Sequence, residues 1–202
     1  MGATRVIYPL GDKQSSVSVN NSDKKSSFLI QAWVESPDQK KTSDIIITPP
    51  LFIINPNNEN ALRMVYTAEN TPDDRESLYW LNVKAIPSSN QQEVEGRNVL
   101  QLAILSKIKI FIRPRHLKMA SVDAPSHLTF RREGNVLVIN NPTPYFVTLV
   151  SISIGGKSVE PVMATPKGET RTNLVGGISG TLKFSTVNDY GAVVSQPDKI
   201  VH

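Results

Sequence analysis

The sequence predicts an all-β chain built of two β-sandwich domains in tandem. Three observations carry this. Apolar residues fall in short β-branched and aromatic runs, not at helical spacing. Turn residues cut the runs at intervals of about 8–12 residues, the spacing of sandwich strands. A polar, Pro-containing stretch over residues 113–126 divides the runs into two series.

Strands are expected at residues 4–8, 16–19, 28–35, 45–48, 61–66, 78–86 and 99–112, with turns at Asn20-Asn21-Ser22-Asp23, Ser36-Pro37-Asp38 and Asn55-Pro56-Asn57-Asn58. Arg113-Pro114 ends the longest apolar run. A second series follows at 128–131, 136–140, 145–154, 157–162, 169–174, 181–186 and 192–194, punctuated by Gly155-Gly156 and Gly176-Gly177. The expected domains are residues 1–117 and 118–202. One large barrel is the competing architecture, and the 113–126 break argues against it.

Composition narrows the function classes. The chain has 202 residues, 39% of them hydrophobic, and 14 scattered Pro, which is a globular composition. Lys+Arg is 22 against Asp+Glu 18, a net charge of +4. The cations are dispersed, unlike the basic stripe of a nucleic-acid binder. The absence of Cys excludes a disulfide framework, a Cys zinc site and a Cys nucleophile. No apolar run approaches the ~20 residues that span a bilayer as a helix. The opening Met1-Gly2-Ala3-Thr4 is read as an initiating Met before a mature sequence whose signal peptide has been removed.

Enzyme signatures are missing. His116, His127 and His202 lack metal-ligand spacing, and there is neither a Gly-x-Ser-x-Gly elbow nor a phosphate-binding Gly loop. Asp73-Asp74 beside Arg75 reads as solvated loop charge. The expectation is a protein that is not an enzyme and uses no cofactor or metal.

The most specific stretch is Pro72-Asp73-Asp74-Arg75-Glu76-Ser77-Leu78-Tyr79-Trp80-Leu81-Asn82-Val83-Lys84-Ala85-Ile86-Pro87. Around it, in order, stand Thr4-Arg5-Val6-Ile7-Tyr8-Pro9, Thr48-Pro49-Pro50-Leu51-Phe52, Leu100-Gln101-Leu102-Ala103-Ile104, Ile108-Lys109-Ile110-Phe111, Arg113-Pro114, Asn141-Pro142-Thr143-Pro144-Tyr145 and Asn188-Asp189-Tyr190-Gly191. Together these resemble the periplasmic PapD-like pilus chaperones over essentially the whole chain, most of all those of type 1 pili. Thr71 and Ile112 depart from the family pattern. The polar 88–98 segment resembles the short-loop class of these chaperones. The resemblance implies two immunoglobulin-like sandwiches set at an angle and a short N-terminal edge strand. It also implies a periplasmic location and partners that are pilin subunits, their adhesin and an outer-membrane usher. No nucleic acid or membrane insertion is expected.

Three sets of site residues follow from the resemblance. Arg5 and Lys109 match the cationic pair that binds a pilin's C-terminal carboxylate in the interdomain cleft. An Arg fork and a Lys point charge suit that ligand. Leu100, Leu102 and Ile104 match the strand lent to the pilin, and their alternation puts them on one face, with Ala103 and Leu105 expected toward the chaperone's own core. From pattern alone a central core strand is the alternative. Glu76, Arg113 and Asp189 match an interdomain ionic link. An exposed apolar edge invites association, so a self-capping dimer is expected without pilin. The alternative function is an immunoglobulin-like adhesin or ligand-binding module, which would concentrate apolar residues at loop tips.

Overall fold

The computed structural model describes residues 1–88, 102–174 and 180–201. Residues 88–98 touch this range only at Ser88, so the expected short loop lies outside the described residues, as do Leu100 and the Gly176-Gly177 turn. The described chain is all-β apart from a 3-10 helix at Ser121–His127. It forms two compact units, Met1–Thr71 with Leu78–Ile112, and Pro72–Ser77 with Arg113–His202. The second unit therefore begins at Arg113, ahead of the 117/118 boundary expected from sequence, and includes a six-residue excursion of the chain at 72–77.

The first unit packs two sheets face to face. One holds β1 (Arg5–Pro9), β8 (Ile104–Arg113), β7 (Ser77–Pro87), β3 (Phe28–Glu35) and β5 (Leu51–Ile54), in that spatial order. The other holds β2 (Ser15–Asn20), β6 (Glu59–Tyr66) and β4 (Ile45–Thr48). Alternation builds the core, because successive strand residues face opposite sides. Ile30, Ala32 and Val34 of β3, Leu62 and Met64 of β6, and Ile108, Ile110 and Ile112 of β8 all point between the sheets. Tyr8, Tyr66 and Tyr79 form a run of tilted rings with centroids 6.1 and 5.9 Å apart. The Tyr8 hydroxyl donates to Asp12 O (2.9 Å) and accepts from Tyr66 N–H (3.2 Å). β5 was not expected from sequence. It is four residues long and follows Pro49-Pro50, which reads as a turn.

In the second unit, β9 (Thr129–Glu133), β10 (Val136–Asn141) and β14 (Gly168–Asn173) form a three-stranded sheet. Opposite it, β11 (Val147–Ile154) and β15 (Thr181–Val187) are flanked by β12 (Lys157–Val159), β13 (Val162–Ala164), β16 (Val193–Ser195) and β17 (Lys199–Ile200). The run expected as one strand at 157–162 is two, β12 and β13, separated by Glu160-Pro161, since Pro has no N–H to give the ladder. β11 carries a bulge between Val150 and Ser153, with Ser151 at φ 50°. The extra residue reverses the alternation, so Val147 and Leu149 are buried before it and Ile152 and Ile154 after it.

Candidate functional site

The odd-numbered side chains of β8 lie on the outer face of the five-stranded sheet, because Ile108 and Ile110 face inward. On neighbouring β1, Val6 and Tyr8 face inward, which sends Arg5 to the same outer face as Lys109. The two cations are close enough to feel each other. Burial lowers the Lys109 ammonium pKa below its ordinary value, and the Arg5 charge lowers it further. The Arg5 guanidinium lies 5.9 Å from the Phe111 ring centre.

A row of side chains not singled out in the sequence extends across this face. Trp80 of β7 has Lys107 at 5.1 Å and Lys109 at 5.8 Å from its ring centre, both within cation–π range. Glu35 of β3, the cross-strand partner of Trp80, accepts from Lys107 Nζ at 2.8 Å and from Trp33 Nε1 at 2.9 Å. Those bonds, Lys107's first, hold the Glu35 carboxyl below its ordinary pKa. The Lys107-x-Lys109 alternation was visible in the sequence, but residues 27 and more positions apart meet here only through strand pairing.

The start of β8 and the two residues before it have a different character. Leu102, Ile104 and Leu105 are 68%, 63% and 55% exposed. The inner side of Ile104 borders a cavity of about 310 Å³ that Met1, Phe28, Ile54, Val83 and Ser106 also line. The expectation that Ala103 and Leu105 face the unit's own core is corrected: both are exposed. The inward series is the even-numbered one, Ile108, Ile110 and Ile112, and Ile104 shares its parity. β1 has five residues against ten in β8, so it cannot flank the whole strand.

Glu76, Arg113 and Asp189 meet in the second unit. Arg113 Nε donates to Glu76 Oε1 at 2.7 Å, and its two terminal nitrogens donate to the two Asp189 oxygens, each at 2.7 Å. Ser121 Oγ, at the start of the 3-10 helix, donates to Asp189 Oδ2 at 2.8 Å. Glu76 is buried, and its other oxygen accepts from Phe146 N–H at 2.8 Å while its own N–H donates to Pro144 O at 2.9 Å. The Asn-Pro-Thr-Pro-Tyr turn presents those groups. Buried Asn141 ties it together, donating to Tyr145 O at 2.8 Å and accepting from Thr143 Oγ1 at 2.7 Å. The Tyr145 ring lies 5.1 Å from the Arg113 guanidinium, and its hydroxyl donates to Met119 O at 2.6 Å. Burial lifts the Glu76 carboxyl above its ordinary pKa, with Arg113 offsetting part of the rise. For Arg113 burial works against the charge, but the bonds from Asp189 and Glu76 outweigh it and raise the pKa. Nearby, Lys167 (2.6 Å) and Arg75 (3.0 Å) bind Asp74 and hold its carboxyl at about 2.

Comparison with known proteins places this geometry. Residues 1–118 match the pili and flagellar-assembly chaperone family, PapD N-terminal domain, and residues 123–197 match the pili assembly chaperone PapD, C-terminal domain. The probable fimbrial chaperone SfmC of Escherichia coli (strain K12) is 47% identical over 193 residues, covering 96% of this chain and 84% of that protein. The crystal structure of the periplasmic chaperone SfaE superposes with a TM-score of 0.87 at 44% identity, covering 99% and 98% of the two chains. The Salmonella enterica SafB chaperone, solved in complex with the SafA pilin, gives 0.88 at 30% identity over 98% and 94%. The sandwiches of this chain are thus the immunoglobulin-like pair of these structures, and the chain belongs to the PapD family of pilus-assembly chaperones.

Proposed function

We propose that this chaperone captures a pilin subunit by lending it the 100–105 segment as a strand, with the pilin's C-terminal carboxylate held by Arg5 and Lys109. Strand addition to an open sheet edge is a general recognition mode, and chaperone–pilin complementation is among its recorded cases. The carrying observation is the exposure of Leu102 and Ile104, at 68% and 63%, just before and at the start of a strand whose later residues Ile108, Ile110, Phe111 and Ile112 are buried. Burying each such side chain in a partner contributes roughly 1.5–3 kcal/mol. Fixing the chain end at two cations also sets register, since a slip of one residue turns every side chain to the other face.

The partner class is carried from SafB, solved with a pilin. The compartment is the periplasm, and the loaded chaperone passes its subunit, adhesin included, to an outer-membrane usher. Assembly then exchanges one lent strand for another and needs no nucleotide. Without pilin, a second copy of the chain covers the exposed edge. The Glu76–Arg113–Asp189 group holds the 72–77 segment and the residues that follow β8 in fixed places. The test is periplasmic co-expression with a pilin from the neighbouring operon, followed by pull-down. Lys109→Ala is expected to lose the pilin while melting as the wild type does; undiminished yield contradicts the anchor.

A further inference from the structure

We propose that the outer face of the five-stranded sheet is a steering surface: its excess positive charge draws an acidic face of the pilin toward β8 and speeds capture, with Lys41 and Lys84 acting outside the carboxylate anchor. This rests on the reading of the pilin as the partner of β8. The cations are dispersed in the sequence, and strand pairing gathers them. Ile30, Ala32 and Val34 of β3 and Tyr79, Leu81 and Val83 of β7 face the core. Trp33 and Glu35 of β3, and Trp80, Asn82 and Lys84 of β7, therefore face out. Lys84 stands opposite Gln31 on β3, not opposite an acid. Lys41 forms a bridge with Glu35 and brings its ammonium to 5.5 Å from the Trp33 ring centre. Among the described side chains of this face, Arg5, Lys41, Lys84, Lys107 and Lys109 stand against one carboxylate, Glu35, once Arg113 is set aside with Glu76 and Asp189. That excess matches the +4 of the whole chain. The opposite sheet differs: its outward charges are Glu59 and Arg63, which cancel.

Charge acts over distance. Arg5 and Lys109 contribute here only as charge, which asks for no vacant donor on either. At low salt the field of a single-signed face reaches well past contact, since the Debye length is ~30 Å at ~0.01 M and ~10 Å at ~0.1 M. Opposite charge on a partner then raises the rate of encounter more than it lengthens the life of the complex. The occupant is a protein surface, not a nucleic acid. Cations beside aromatic rings can mark a base-stacking platform, but here ammonium groups already lie near both indoles, at 5.5 Å from the Trp33 centre and at 5.1 and 5.8 Å from that of Trp80. The face is also continuous with β8, whose exposed start the pilin takes as a strand.

The test is the rate at which the full chain captures a pilin from the neighbouring operon, followed by stopped flow from about 20 to about 500 mM NaCl. The association rate of the wild type is expected to fall about tenfold or more over that range. At the lowest salt, Lys84→Glu and Lys41→Glu should each slow association about threefold to tenfold and leave dissociation within about twofold of wild type. Lys157→Glu, the same change of net charge placed on β12 of the second unit, should keep the wild-type rate. Equal slowing by Lys157→Glu would make net charge the cause and overturns the steering face. Folded Lys84→Glu and Lys41→Glu that associate at the wild-type rate overturn it too. Should Lys84→Glu not fold, Lys41→Glu, at an exposed position, carries the same prediction. Tight binding of single-stranded DNA by the wild type, lost in Lys84→Glu, would make nucleic acid the occupant and overturns the pilin assignment. A wild type that captures no pilin overturns the strand-lending reading and this inference with it; one that captures pilin at a rate indifferent to salt overturns the steering face alone.

Discussion

The two ends of the 102–113 run, which contains β8, have nearly the same apolar chemistry and opposite fates. Ile108, Ile110 and Ile112 are 9%, 0% and 0% exposed, whereas Leu102, Ile104 and Leu105 are 68%, 63% and 55% exposed. Each half continues the other's backbone and shares its alternation. They differ in what the rest of the first unit places around them: the inward isoleucines share the core with Leu62, Met64 and Leu81, whereas Ile104 borders an open cavity and stays mostly exposed. The closed half also ends in Arg113, whose bonds to Glu76 and Asp189 tie off the strand. A strand can thus be core at one end and exposed at the other, and residue type alone does not distinguish the two.

That contrast can be broken by mutation. The largest loss is expected at the tied-off end. Arg113→Ala leaves Glu76 buried without its cation and should cost about 3–5 kcal/mol in urea unfolding, the range for breaking a buried pair from one side. Ile110→Ala opens a cavity in the closed half and should cost about 2–5 kcal/mol by the same measurement. Ile104→Ala, an identical change six residues earlier, should stay within about 0.5 kcal/mol of wild type because its side chain is mostly solvated. A large loss there would make the open half part of the core.

The smallest effect is confined to acid. The Asp74 carboxyl is held at about 2 against an ordinary 3.8 by Lys167 and Arg75. Its folded pKa is depressed, so the folded state binds fewer protons than the unfolded one between these values. Its contribution is present above 3.8 and is lost as pH falls toward about 2. Asp74→Asn should therefore flatten the fall of melting temperature over that window and leave its shape near neutral pH unchanged.

Much of this was legible in the sequence, for physical reasons. Strands such as β3 and β6 bury one face, and their alternation declares it. β5 and the 3-10 helix were missed because each is brief and set beside or around a proline, where turn chemistry and short structure look alike. The direction of Ala103 and Leu105 was misassigned because the 102–105 run is apolar on both faces, and such a run does not declare its own parity. The parity was available one step further on: Lys107 and Lys109 alternate with Ile108, Ile110 and Ile112, and that register extends back to Ile104. The Trp80–Glu35–Lys107 row was beyond reach, since it depends on which strands are neighbours. Asn141, by contrast, stood in a recognisable motif, but its task of presenting Pro144 O and Phe146 N–H to Glu76 emerges only when segments 72–77 and 141–146 are seen together.

Hydrogen exchange at the backbone amides of residues 102–107, with and without a bound pilin subunit, tests the central claim most directly. In the free chain those of these amides that do not bond β7 should exchange quickly, while those of 108–112 are protected. In the complex, protection should spread through 102–107 as the strand gains a neighbour. Fast exchange at 102–107 in a chaperone shown to be saturated with pilin would contradict strand donation.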